Sequence, residues 1–250
     1  MKSYDLALRP IHYASVSGGK DSLYMLGLIL SKPEKYPLDM VVHFELEIDY
    51  PIVKNVIPYM EKRCKEKGIK FVRIRPRETW NEIYEKRGFP SRKVRWCNGW
   101  KLDCKAQLLD WIKSCNCRPV DYIGLCADEK ARFKYEVGNI TEGQDTIYPL
   151  AEEGITEDVI LEWARNQPIF EDYYKINRRM GCMFCPMISY KEMAYQMYKY
   201  PAESEKYWQM IFKEWDEKGY NCLRGDNYTP DYIYNRVVTY WLPKVIEELS

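Results

Sequence analysis

The sequence predicts an α/β fold: a doubly wound, mainly parallel sheet with helices on both faces, plus a C-terminal helical extension. Three observations predict it. An apolar run at residues 11–16 is followed by a glycine-rich turn and a second apolar run at 23–30, the pattern of a buried strand entering a helix. The same alternation of short apolar runs and helical stripes continues to residue 75 and resumes at 120. From Pro168 onward the strand periodicity stops, and apolar residues recur only at helical spacing. The expected division is therefore residues 1–186 as the α/β domain, closing in a cysteine-rich loop, and 187–250 as the extension.

Residues 38–45 read as the second strand. Pro51 opens a helix with Val53, Val56, Ile57, Met60 and Cys64 on one face, stopped by Gly68, and Pro58 is a kink site within it. Residues 69–75 form the third strand. Strands joined through helices run parallel, and such sheets bind ligands at their carboxyl ends. The turn at 17–22 and the segment 45–49 are both expected there. A helix is expected over 78–86 and a loop at 88–91. Asn98 is placed to cap a helix reaching about residue 114, with Leu102, Ala106, Leu109 and Ile112 in one stripe and Cys104, Leu108, Trp111 and Cys115 in another, the mark of a well-buried helix. Residues 120–126 are the next strand, followed by a charged cluster at 127–132, a polar loop at 136–145 and an extended piece at 146–150. Thr156 is placed to cap a further helix. Ser189 with Glu192 has the spacing of a capping box. Pro201 and Gly219 bracket the next helix, and Thr229 with Pro230 opens the last, which Pro243 bends or ends.

Hydrophobic residues make up 46% of the 250 and charged ones 30%, with a formal net charge of +1, so a soluble globular protein is expected. A balanced total neither requires nor excludes a local basic patch. No apolar run approaches the roughly 20 residues of a membrane span, and the first ten residues show no apolar signal region. A cytoplasmic location and no membrane partner are expected. Nine cysteines in a reducing compartment then read as metal ligands, redox groups or core thiols. The 22 Tyr and 8 Trp read first as packing residues, with base stacking the sharper alternative.

Two stretches carry chemistry. Ser17-Gly18-Gly19-Lys20-Asp21-Ser22 lies between the first strand and the first helix. Glycines let the backbone approach a ligand, and the free N–H groups of a helix start favour an anion. Lys20 adds a charge, and Ser17 and Ser22 add hydroxyls, so phosphate or sulfate is the fitting ligand. An ordinary Gly-Gly turn with a helix cap is the plainer alternative. The second stretch is Cys182-x-x-Cys185 between Gly181 and Pro186, whose spacing suits one zinc or two irons of a cluster. Cys97, beside the basic run Arg92-Lys93-Val94-Arg95, is the best further ligand, with Cys104 and Cys222 behind it. Cys64, Cys115 and Cys126 fit core positions, and Cys117 is open.

Taken in order, these stretches resemble the phosphoadenosine phosphosulfate (PAPS) reductase family, within the PP-loop superfamily of adenine-nucleotide alpha-hydrolases, in its cluster-bearing branch. The likeness runs through the 17–22 loop, Asp49-Tyr50-Pro51, Gly88-Phe89-Pro90 before Arg95-Trp96-Cys97, Lys101-Leu102, Asp128-Glu129 with Arg132, Tyr148-Pro149-Leu150, and Gly181-Cys182-x-x-Cys185-Pro186. It implies that Ser17, Gly18, Gly19, Lys20, Asp21 and Ser22 hold a phosphate or sulfate of ATP, APS or PAPS, with Glu45, Arg95, Asp128 and Glu129 also at the nucleotide. It implies that Lys20, Asp21, Lys101 and Arg132 act on the anion, and that Cys97, Cys182 and Cys185 hold a 4Fe-4S cluster, with Cys104 or Cys222 as fourth ligand or one iron left open. Zinc is the alternative metal. The chain has Trp96-Cys97 where sulfate reductases of that branch carry adjacent cysteines, and it contains no Glu-Cys-Gly-Leu-His motif. Asp-Thr-Gly, common after the second strand of the family, is also absent; Glu45-Leu46-Glu47 stands near its place.

Two reactions fit this resemblance. In one, ATP adenylates an acceptor, with Mg²⁺ on Asp21 or Glu45, and sulfur is then transferred. In the other, a sulfonucleotide is reduced by attack of a cysteine, for which Cys222 is the available C-terminal thiol. The expected partners are an adenine nucleotide and either a nucleic-acid acceptor, met by Arg92–95 and Arg178-Arg179, or a protein donating sulfur or electrons. A homodimer is one expected assembly. A non-catalytic nucleotide- or nucleic-acid-binding module with structural zinc is the competing class.

Overall fold

The computed structural model describes residues 8–134, 146–183, 185–219, 221–223 and 228–250. The loop expected at 136–145 lies outside them. In chain order the elements are β1 (Arg9–Val16), α1 (Lys20–Ser31), β2 (Met40–Phe44), α2 (Val53–Glu66), β3 (Lys70–Ile74), α3 (Trp80–Arg87), α4 (Trp96–Ser114), β4 (Cys117–Tyr122), β5 (Thr146–Ile147), α5 (Pro149–Glu152), α6 (Glu157–Arg165), α7 (Tyr173–Ile176), α8 (Tyr190–Lys199), α9 (Pro201–Lys218), α10 (Pro230–Arg236) and α11 (Leu242–Leu249). A π-helical turn, Val237–Trp241, joins the last two.

The chain forms two units, each built from separated stretches, where the sequence reading expects one cut after residue 186. The first takes in the described residues up to Glu45, then Ile52–Pro76 and Leu102–Phe170. The second takes in Leu46–Pro51, Arg77–Lys101 and Glu171–Ser250.

The first unit is the expected α/β fold. Its sheet has the order β3-β2-β1-β4-β5, and every pairing is parallel. Strand order reverses at β1, whose neighbours are β2 and β4, so the turn after β1 leaves from the switch point where such sheets bind ligands. Consecutive residues of the central strands are buried (Tyr13, Ala14, Met40, Val41, Val42), as a sheet covered on both faces requires. Tyr13, Met40 and Val42 pack with Leu108 and Ile112 of α4. Each such side chain, removed from water, contributes about 1.5–3 kcal/mol. Helix α4 covers the sheet with a single face, which corrects the two-stripe expectation: Cys104, Leu108 and Ile112 are buried, whereas Leu102 is 60% exposed and Trp111 44%. Cys115 is likewise exposed rather than in the core, because it follows the end of α4, while Cys64 and Cys126 are buried as expected.

Burial also sets a pH dependence. His43 is 3% exposed, and its Nδ1 donates to the Val16 carbonyl at 2.9 Å. Burial holds its pKa, and that of His12, below the usual histidine value. Between the unfolded value of about 6.5 and the depressed folded value, the unfolded chain binds more protons. Stability is therefore expected to fall as pH drops from about 6.5, and the slope to flatten in His43→Asn, as urea unfolding at stepped pH would show. An unchanged slope in the variant would assign the loss elsewhere.

The second unit is helical and built on aromatic contacts. Trp80 lies 5.0 Å from Trp96 and 5.6 Å from Trp100, ring centre to centre, and Phe89 packs on Tyr207 at 5.4 Å. Packing is thus the main use of the aromatic residues here. Helix α4 begins at the buried Trp96, two residues before the expected cap Asn98. Helix α3 begins at a reciprocal capping box of Thr79 and Glu82. Only half of the expected Ser189 box forms: Ser189 accepts from the Glu192 N–H, while the Glu192 carboxylate accepts from Tyr50 and Tyr173. Pro243 does not end the last helix. It has no N–H for the Thr239 carbonyl, and the backbone widens into the π turn before α11 continues.

Candidate functional site

In the first unit the 17–22 turn joins β1 to α1. Gly18 has φ +81°, and a Cβ there would meet Val53 Cγ1 at 3.1 Å, so glycine alone fits. Gly19, in extended conformation, is the N-cap of α1 and makes no side-chain cap. The hydroxyls expected to face an anion are turned into the loop. Ser22 donates to the Gly19 carbonyl at 2.9 Å and accepts from the Ser17 N–H, and Ser17 Oγ accepts from the Gly19 N–H. These bonds hold the turn's shape. Lys20 is 1% exposed, with its ammonium 2.7 Å from Asp21 and 3.8 Å from Glu157.

The segment after β4 closes on the same turn. Gly124 leaves room for the Asp21 carbonyl, 3.4 Å from where a Cβ would stand. Cys126 donates to Asp21 at 3.8 Å, and burial, followed by the Asp21 charge, pushes its thiol up to about 12. Asp128 accepts from the Glu157 N–H at 3.0 Å and so caps α6, while Thr156, the expected cap, makes no side-chain cap bond. Glu129 accepts from the Cys126 N–H and from Arg132. The structure thus groups Lys20, Asp21, Asp128 and Glu129 near the start of α1 and adds Cys126 and Glu157, which the sequence did not single out. Arg132 is exposed and paired to Glu129. Glu45 is held by Arg75 at 2.7 Å and Arg73 at 3.9 Å, and the Arg75 hydrogen bond keeps its carboxyl below the usual range.

In the second unit the 182–185 loop is braced by residues far away in sequence. Cys182 forms an isolated antiparallel bridge with Asp49, and the Met183 N–H donates to Ile48 at 2.7 Å. Gln196 donates to the Met183 carbonyl at 3.0 Å and to Tyr50 at 2.6 Å, and Tyr207 donates to the Cys185 carbonyl at 3.2 Å. Tyr50, Tyr173 and Tyr207 are fully buried, and burial raises the Glu192 carboxyl between the first two. Nothing local in the sequence marks this brace, apart from the Ser189–Glu192 spacing.

The Lys101 ammonium donates to Cys182 Sγ. Burial pulls the Lys101 pKa down, but the sulfurs of Cys182, Cys97 and Cys185 more than offset it, and the net shift is upward. Burial pushes the Cys182 thiol up to about 11 against the pull of Lys101, and raises Cys185 too. Cys182 is thus in hydrogen-bond contact with Lys101, while Cys97 and Cys185 act on it through charge. Cys104 is not among them. It lies seven residues, about two helical turns, beyond Cys97, and its thiol donates to the Ile74 carbonyl at 3.6 Å. Cys222 is buried, its thiol pushed up to about 12. Arg95 is exposed and donates to Asn98 at 3.3 Å. Among the described residues no three His, Cys, Asp or Glu side chains stand as a ready-formed metal set, and no helix is long and apolar enough to cross a membrane.

No protein family model matches the chain. An uncharacterized protein of Methanocaldococcus jannaschii is 27% identical over 219 residues, covering 84% of this chain and 50% of that protein. The chain thus spans about half the length of the curated relative it matches. Among solved structures, the U34-tRNA thiolase NcsA from Methanococcus maripaludis with its 4Fe-4S cluster is similar at 18% identity and a TM-score of 0.42, over 96% of this chain and 73% of that one.

Proposed function

We propose that the chain is a PP-loop, PAPS-reductase-like enzyme that adenylates an acceptor with ATP and then transfers sulfur to it. The observation that carries this reading is the turn at the switch point of the sheet, with Gly18 at positive φ and Lys20 buried in the first turn of α1. That geometry supports binding of a phosphate chain by the α1 N–H groups. An acceptor oxygen attacks the α-phosphorus of ATP, the bond to pyrophosphate breaks, and Lys20 stabilises the charge of the departing pyrophosphate. Sulfide, brought by a sulfur donor, then attacks the acceptor carbon: the C–S bond forms as the C–O bond breaks, and AMP leaves with that oxygen. Asp21, 36% exposed and in the first turn of α1 beside Lys20, is the better placed carboxylate for Mg²⁺; Glu45 is held by Arg73 and Arg75.

Cys97, Cys182 and Cys185 are the residues that would hold a metal. Thiolates suit a 4Fe-4S cluster, and the Lys101 charge among them offsets the negative charge such a site gains. Holding it requires the thiols to lose their protons and close on the metal. When bound, a cluster supplies iron to which sulfur binds. Reduction of a sulfonucleotide is the weaker reading, since the thiol it needs, Cys222, is 1% exposed with its pKa pushed up to about 12.

The test is incubation of the anaerobically purified protein with α-labelled ATP and Mg²⁺. ATP should bind, pyrophosphate should displace it, and any turnover should yield AMP and pyrophosphate. No binding of ATP, or ADP and phosphate as products, would overturn the reading.

A further inference from the structure

We propose that the exposed face of the C-terminal helix is a stacking platform for single-stranded nucleic acid. In the sulfur-transfer reading this names the class of acceptor; the binding itself does not depend on that reading.

The last helix is fastened by one face. Ile233, Val237 and Val245 are completely buried. Along the other side run Tyr232, Arg236, Tyr240 and Lys244, preceded by Tyr228 just before the helix, at intervals of four and all exposed. The rings of Tyr228 and Tyr232 are stacked, with centres 5.1 Å apart and planes at 25°. Arg236 donates to the Tyr232 hydroxyl at 3.4 Å, and its guanidinium lies 5.8 Å from the centre of the Tyr240 ring. Lys244 sits 4.0 Å over that ring and donates to its hydroxyl at 2.8 Å. Rings and cations therefore form one ladder, about 18 Å long from Tyr232 to Lys244 at 1.5 Å per residue. Residues four apart in a plain α-helix drift by about 40°. The wider π turn takes back part of that drift and returns Tyr240 beneath Arg236.

The chemistry of the ladder selects its partner. Every base offers a face to an exposed ring, and the phosphates between bases suit cations placed between rings. Among the described residues no carboxylate and no aliphatic side chain belongs to the ladder. Asp231 lies beside it, Glu247 follows Lys244, and Glu248 is paired with Lys191 at 2.6 Å. A protein partner would want an apolar centre, which this face lacks.

The probe is a fluorescein-labelled oligouridylate of about 12 nucleotides, titrated with the full chain by anisotropy over a range of salt. Tyr232→Ala and Tyr240→Ala should each weaken binding by about 10-fold or more, while Tyr240→Phe keeps it. Arg236→Ala and Lys244→Ala should each lower the salt slope by about 0.7. All these positions are exposed, and unchanged melting curves will show that the variants fold. Absence of binding at low salt, equal affinity for a duplex of the same length, or variants that bind like the parent would overturn the proposal. Lys20→Met, which disables the nucleotide reading, should leave oligouridylate binding intact, so either idea can fail without the other.

Discussion

Replacing Cys182 by alanine is expected to abolish bound iron. The parent, purified without oxygen, should be brown with a broad visible absorbance, and Cys182→Ala colourless. Cys182 is held in place: its backbone pairs with Asp49, its neighbour Met183 is held by Ile48 and Gln196, and its sulfur accepts from Lys101. Lys101→Met should weaken iron retention by about 10–100-fold, as loss of a supporting partner does, because the thiolates would lose their counter-charge. Cys104→Ser should change nothing, since that thiol faces the Ile74 carbonyl. A colourless parent with stoichiometric zinc, or a brown Cys182→Ala, would sink the cluster assignment.

Lys20→Met is expected to reduce ATP-dependent pyrophosphate release by about 100-fold or more, the usual cost of removing one donor aimed at developing charge. Arginine should not restore activity. Lys20 is 1% exposed in a cage shaped for an ammonium, and a planar guanidinium is larger and differently directed. The substitution leaves Asp21 and Glu157 without their shared cation, so circular dichroism must show a folded protein for the loss to count. Full activity in a folded Lys20→Met would remove Lys20 from the chemistry and leave it as an ion-pair anchor of α1.

Part of this architecture is legible in the amino-acid order alone. The parallel α/β unit follows from apolar runs alternating with helical stripes, and with it the place of the 17–22 turn at the carboxyl end of the first strand; the strand order that makes this the switch point comes from the structure. Helix boundaries are legible where punctuation is local, as at Pro201, Gly219 and Thr229. They are hidden where a distant residue competes. Asp128 takes the cap of α6 from Thr156, and Tyr50 with Tyr173 takes the Glu192 carboxylate from its box.

The sequence by itself determined the fold class, because hydrophobic periodicity and glycine punctuation act over a few residues. Only the tertiary structure decided what those residues face. Lys101 turns to sulfur, Ser17 and Ser22 turn into their own loop, Cys104 turns to a strand carbonyl, and the tyrosines of the last helix face outward while those around the cysteine loop are sealed inside. Each outcome depends on burial and on partners tens of residues away, which no local pattern encodes.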